Sequence, residues 1–235
     1  VAVQSRKYNA EGRLVDEMYY DEDLNKTRHN NNYVRVTQTY NAKGNVESQS
    51  YYDSKNQPVL AKIGCAKVEL DYDNDQNMSK EKCFGVDGNL FNNVRGVAET
   101  ILHFDELGNV SKVSVFDALG SPDIYGYGYA SIALNYDKNG NVSEEAYFDI
   151  NNEPMALVYN HEKPLLSNNV FKTLSKYDAR GNLSESTFQG KNGNFSTLNG
   201  VAKYKYKYDK LGHLVEESHY DVNDEPAVHQ EQGYF

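Results

Sequence analysis

An all-β fold assembled from repeated antiparallel hairpins is what this sequence predicts. Three observations carry that expectation: one turn motif recurs at a near-constant interval, apolar and polar side chains alternate between the turns, and no segment sustains a helical period for three turns. An aromatic residue opens each first turn, at Tyr8, Tyr40, Tyr72, Phe104, Tyr136, Tyr177 and Tyr208. The first five anchors are evenly spaced, the step to Tyr177 is longer, and the step to Tyr208 is one shorter than the norm. About seven units of roughly 32 residues follow from these anchors, within the range of repeat architectures.

The first turn of each unit reads "YNAKGN", "FDELGN", "YDKNGN" or "YDARGN". Its Asp or Asn can accept hydrogen bonds from the backbone ahead, and the Gly four after the anchor can take a positive φ. That chemistry suits a hairpin loop closed by a glycine bulge. The third copy, "YDNDQN", puts Gln76 in the glycine's place, so its turn is expected to be strained or differently shaped.

Around the fifth anchor the alternation has period two. Ala130, Ile132, Leu134 and Tyr136 share an inner face that Val142, Ala146 and Phe148 continue, while Ser131, Ala133 and Asn135 take the other. Glu144 shares the inner parity, which sets it near a strand end or rim or marks a wrongly assigned face. A second aromatic follows the anchor by twelve positions at Tyr20, Tyr52, Phe84, Phe116, Phe148 and Tyr220, and by eleven at Phe188. Second turns such as "YDSKNQP" and "FDINNEP" close on Pro58, Pro122, Pro154 and Pro226, where a central strand should stop. A third mark, "GCA", "GVA", "GYA" and "GVA", recurs at 64–66, 96–98, 128–130 and 200–202.

One hairpin is marginal alone, so its apolar face needs a neighbour, and stacked units supply one. The expected architecture is an elongated stack, solenoid-like or a curved ribbon, over a single domain of residues 1–235. Such a stack should have a radius of gyration above the roughly 17–18 Å of a compact chain. The alternative is propeller-like closure; against it, the unit is short for a four-stranded blade, and the one around "MALVYNHEKPLLSNN", 155–169, is longer than the rest. The chain is also compatible with being a fragment of a longer protein.

The stretches "KYDARGNLSESTF", "NYDKNGNVSEEAYFD" and "KYKYDKLGHLVEESHYD" resemble the YD-type repeats of bacterial proteins. They are distantly similar to Rhs-related repeats, and closer to tandem-repeat proteins with a YD…GN…YFD…GxP…GYA unit. The Rhs resemblance implies β-sheet shells around a toxin cargo, for which seven units are few. The closer group implies a bacterial surface or secreted setting and brings no catalytic residues to transfer.

A formal charge of -10 disfavours a nucleic-acid partner. No apolar run reaches the length of a membrane span, and no signal-like segment follows Val1. Cys65 and Cys83 rule out a disulfide-dense scaffold; one bridge stays open, and two unpaired thiols is the preferred reading. No cofactor is implied. The six histidines fall in no metal-binding spacing, and nucleophile-elbow and phosphate-loop motifs are missing, so the chain does not read as an enzyme. Asp71, Asp73, Asp75 and Asn77 alternate like a weak calcium loop, yet Gln76 and Lys82 replace the Gly and acid such loops need.

Tyrosines make the candidate surface. Tyr19, Tyr51 and Tyr147 precede the second aromatic, so alternation aims them outward, and Tyr125 and Tyr127 add a cluster. An exposed ladder of this kind could grip a protein or glycan. The first functional expectation is a noncatalytic binding or adhesion module. The alternative is a structural spacer or shell segment supporting another domain.

Overall fold

A computed structural model describes residues 3–123, 128–156, 170–198 and 200–228. Its strands are β1 (Val3–Tyr8), β2 (Leu14–Tyr20), β3 (Arg35–Tyr40), β4 (Val46–Tyr52), β5 (Lys67–Tyr72), β6 (Met78–Phe84) and β7 (Glu99–Phe104). They continue as β8 (Val110–Phe116), β9 (Ser131–Tyr136), β10 (Val142–Phe148), β11 (Lys172–Tyr177), β12 (Leu183–Gln189), β13 (Lys203–Tyr208) and β14 (Leu214–Tyr220). Strand order is β1 through β14 without a crossover, so neighbours in the chain are neighbours in the sheet. Sequential pairing of this kind excludes the propeller alternative, whose strands would divide into separate blades.

Each anchor ends its strand at a turn built by the residue after it. Asp137 Oδ1 accepts from the backbone N–H groups of Asn139 and Asn141, at 2.8 and 3.0 Å. The backbone closes the loop with Asp137 N–H to Asn141 C=O at 2.8 Å and Gly140 N–H to Asp137 C=O at 3.0 Å. Second turns repeat the device, as at Asp21, which caps Asp23 and Asn25. Gln76 adopts the same geometry at φ 69°, so the third copy is an ordinary turn carried by a non-glycine residue.

The hairpins contain a bulge that alternation alone does not reveal. Tyr136 pairs with Val142, but Asn135 pairs with Glu144, which leaves Ser143 as an extra residue. The same shift occurs at Val15, Glu47, Ser79, Ser184 and Val215. One inserted residue reverses the parity of everything after it. Ile132 therefore faces the same way as Tyr147, and Leu134 the same way as Glu145. This corrects the expected inner face: Ala146, Phe148 and Glu144 lie with Ser131, Ala133 and Asn135 on the opposite side. The misfit of Glu144 was the trace of that bulge.

By its contacts the chain divides into two compact units, Val1–Leu102 with Ser114–Gly126, and His103–Val113 with Tyr127–Phe235. The first has a core that includes Tyr19, Tyr33, Tyr51, Val68, Cys65 and Cys83. In the second, Val170, Phe188, Val201 and Tyr204 form a core cluster. The stretch 157–169, with the irregular connection, lies outside the described residues.

Counting from the anchor, positions −7 and 11 pack against each other on the buried face. Tyr33 and Tyr51 stand there with ring centroids at 5.0 Å, and Tyr129 and Tyr147 at 5.4 Å. Val97 and Val115 hold these positions in the fourth repeat, and both are buried. In the third, the pair is a disulfide between Cys65 and Cys83, contrary to the reading of two unpaired thiols. Phe188 is likewise the position-11 residue of its repeat, paired with Thr173, and Gln189 takes position 12.

Candidate functional site

The tyrosines predicted to face outward are core residues. Tyr19, Tyr51 and Tyr147 keep only 4, 6 and 6% of their surface, because the bulge turns position 11 onto the packed face. Each is held by a polar residue two before it on the same strand. Tyr51 donates to Gln49 Oε1 at 2.7 Å, Tyr147 to Glu145 Oε2 at 2.9 Å, and Tyr19 to Glu17. In the seventh repeat His219 replaces the tyrosine, 2.7 Å from Glu217 Oε1. The hydroxyl of a buried tyrosine needs such a partner.

The electrostatics match that burial. Desolvation pushes the Tyr51 phenol up to about 12. Burial also raises the Glu17 carboxyl, but hydrogen bonds from Tyr19 and Arg6 outweigh it and leave Glu17 below its ordinary value. Arg6 Nε lies 2.6 Å from Glu17 Oε1. Burial raises the Tyr19 phenol as well, so Tyr19 and Tyr51 are held as neutral donors.

Tyr125 and Tyr127 lie outside the described residues. The candidate calcium loop is the first turn of its repeat. Asp73 Oδ1 accepts from the backbone of Asp75 and Asn77, and Oδ2 accepts from the Asn77 amide. Asp71 sits on β5 opposite Lys80. Among the described residues no group of three or more His, Cys, Asp or Glu is arranged to hold a metal. No described helix is long and apolar enough to cross a membrane.

The joints between successive repeats recur in form. Anchor hydroxyls donate to a backbone carbonyl of the preceding repeat: Tyr40 to Leu14 at 2.6 Å, Tyr72 to Val46 at 2.8 Å, Tyr136 to Val110 at 2.8 Å and Tyr177 to Val142 at 2.9 Å. Phe104 has no hydroxyl to give. On the opposite face, ion pairs join position −5 to position 8 of the repeat before. These are Arg35 with Asp16 at 2.8 Å, Glu99 with Lys80 at 3.2 Å and Lys172 with Glu144 at 2.7 Å. Cations also lie over the position-12 rings, Arg35 on Tyr52 and Lys67 on Phe84.

Many apolar turn residues stand open. In the first unit Ile63, Val86, Phe91, Val94 and Leu119 are exposed on neighbouring loops, with Leu119 91% accessible. Val94 N–H donates to the Ile63 carbonyl, and Ala118 N–H to Asn92 Oδ1, which ties three of these loops together. Within the second unit Leu107, Ile150 and Leu211 are exposed turn residues. The available signal was an aliphatic residue inside a turn motif, as in "DELGN", "DALGS" and "DKLGH".

Paired turns, a bulged hairpin and a repeating joint define a tandem β-hairpin repeat protein. No protein-family model matches the sequence, and no curated protein is similar enough to match it. Solved structures do. A chain in the structure of the Photorhabdus luminescens Tc holotoxin pore aligns with 96% of this chain and 9% of its own, at 14% identity and a TM-score of 0.56. A chain of the TcdB2-TccC3 crystal structure aligns with 94% of this chain and 12% of its own, at 13% identity and a TM-score of 0.39. The first alignment establishes a likeness of fold, and the present chain spans about a tenth of the length of these solved chains.

Proposed function

We propose that the chain is a noncatalytic structural segment, a stretch of β-sheet wall that supports or covers another part of a bacterial assembly. The observation that carries this reading is the use made of its most chemically capable side chains. Tyr19, Tyr51 and Tyr147 and their Glu and Gln partners are packed inward, and the same joints recur from repeat to repeat. The fold it shares with a Tc holotoxin chain supports a role among secreted toxin-like proteins. The Cys65–Cys83 bond supports an oxidising, extracellular or surface location.

Tyr51→Ala is the test. A structural residue there should lower the unfolding free energy by about 3–5 kcal/mol, the range for large aromatic truncations. A variant that keeps its stability while losing a saturable protein or glycan ligand overturns the reading. The second reading, a binding module for a protein partner, is favoured by the exposed aliphatic turns. Its contact residues would be Val94 and Leu119 rather than the tyrosines.

A further inference from the structure

The tetrapeptide "KNGN" occurs twice, at 138–141 in the first turn of the fifth repeat and at 191–194 in the second turn of the sixth. The two turns share one backbone. Gly140 and Gly193 have φ of 83° and 76°. Gly140 N–H donates to the Asp137 carbonyl at 3.0 Å, and Gly193 N–H to the Gly190 carbonyl at 3.0 Å. Each loop is closed by the residue that opens it, Asp137 N–H to Asn141 C=O at 2.8 Å and Gly190 N–H to Asn194 C=O at 2.9 Å. Asn139 and Asn192 are both exposed. Asn199, which also precedes a glycine, lies outside the described residues.

What differs is the residue that opens the turn. Asp137 Oδ1 accepts from the backbone N–H groups of Asn139 and Asn141, and its Oδ2 from the Asn141 amide at 3.1 Å. Gly190 stands in that place in the other turn and has no side chain to accept with. An Asn before Gly sets an electrophile, its side-chain amide carbon, beside a nucleophile, the next backbone nitrogen, and glycine leaves the approach unhindered. For the two to meet, the turn must open and carry the following N–H groups away from their acceptors. At Asn139 the carboxylate hydrogen bonds oppose that opening, whereas at Asn192 the backbone closure alone does so.

We infer that Asn192 is a site of spontaneous modification, deamidating through a succinimide closed by the Gly193 nitrogen, while Asn139 in the same tetrapeptide is protected by the Asp137 cap. The Gly193 nitrogen bonds to Asn192 Cγ, its proton passes through solvent to the departing amide nitrogen, and the Cγ–Nδ2 bond breaks to release ammonia. Water then opens the ring at either carbonyl and leaves aspartate or isoaspartate. Both products add a negative charge next to Lys191, whose Nζ lies 3.8 Å from Glu153 Oε2 in the second turn of the preceding repeat. Isoaspartate also inserts a methylene into the backbone. The modification therefore acts on the contact between these two turns, and it does not depend on the structural reading of the chain.

Peptide mapping by mass spectrometry tests it, on the 235-residue chain aged folded in mildly alkaline buffer and, separately, unfolded in urea. In urea the two sites should convert at similar rates, because their tetrapeptides are identical. In the folded chain Asn192 should convert about tenfold or more faster than Asn139. Gly190→Asp supplies the missing cap and should slow Asn192 toward the rate of Asn139. Gly190 has no positive φ, and Asp21 and Asp149 open the same turn in other repeats, so the variant is expected to fold and its thermal melt checks that. Asp137→Gly should speed conversion at Asn139. Equal rates at the two sites in the folded chain overturn the inference, as does an Asn192 that converts in urea but not in the folded chain. Conversion of Asn192 that Gly190→Asp leaves as fast as before also overturns it, since the cap would then not be what separates the two turns.

Discussion

At Gly140 the backbone φ is 83°, and a built Cβ there would meet nothing within 4 Å. The glycine is needed for conformation alone, so Gly140→Ala should cost about 1–2 kcal/mol. Gly64 has the same handedness, but its Cβ would lie 2.7 Å from the Val94 backbone nitrogen. Gly64→Ala should therefore cost clearly more than Gly140→Ala, and Gln76→Gly should gain less than the roughly 1–2 kcal/mol left-handed penalty, because the hydrogen bond that Gln76 Oε1 accepts from the Asn45 amide is lost. Urea unfolding of the three variants checks the order; equal losses at Gly64 and Gly140 would contradict the close approach. The Asp and Gly of each turn were legible in the sequence because turn chemistry is local. The partner of Tyr51 at Gln49 was not, since a pairing two positions apart means nothing until the face is known to be buried.

At the scale of the hairpin, the turn carboxylates make stability depend on acid. The side-chain amides of Asn109, Asn141 and Asn182, with backbone N–H groups, hold Asp105, Asp137 and Asp178 below the ordinary aspartate value of 3.8. A depressed carboxyl stabilises the fold above the unfolded value and loses that contribution as pH falls through the folded one. Melting temperature should fall as pH drops below about 4. Replacing the three by Asn, which already serves at Asn41, should flatten that fall and lower the neutral-pH melt slightly. An unaltered acid profile would contradict it. The Cys65–Cys83 pair makes a second prediction at this scale. Val97 and Val115 fill the same two positions, so Cys65→Val with Cys83→Val should fold, with stability lower by about 3 kcal/mol for the lost loop constraint. Failure of that double variant to fold would mean that the two sites are not equivalent. Strand existence and hairpin pairing were readable from the period of two. Which face was inner was not, because the inserted residue at positions such as Ser143 leaves the pattern of apolar letters intact while reversing its meaning.

Over the whole chain, the near-constant interval between anchors was the strongest signal, since it records the same inter-repeat joint from repeat to repeat. Anchors such as Tyr72 and Tyr136 were visible as letters long before their hydroxyls could be seen to reach the preceding repeat. The period does not say which aromatic set is wet, and the functional reading turns on that. Tyrosine nitration of the folded chain, mapped by mass spectrometry, decides it most directly. If the position-11 side chains are the core of a structural segment, Tyr8 is nitrated readily, being 56% accessible, while Tyr19, Tyr51 and Tyr147 are protected until the chain unfolds. Nitration of Tyr51 and Tyr147 as fast as Tyr8 in the native chain would contradict it and return the tyrosines to the surface as a binding stripe.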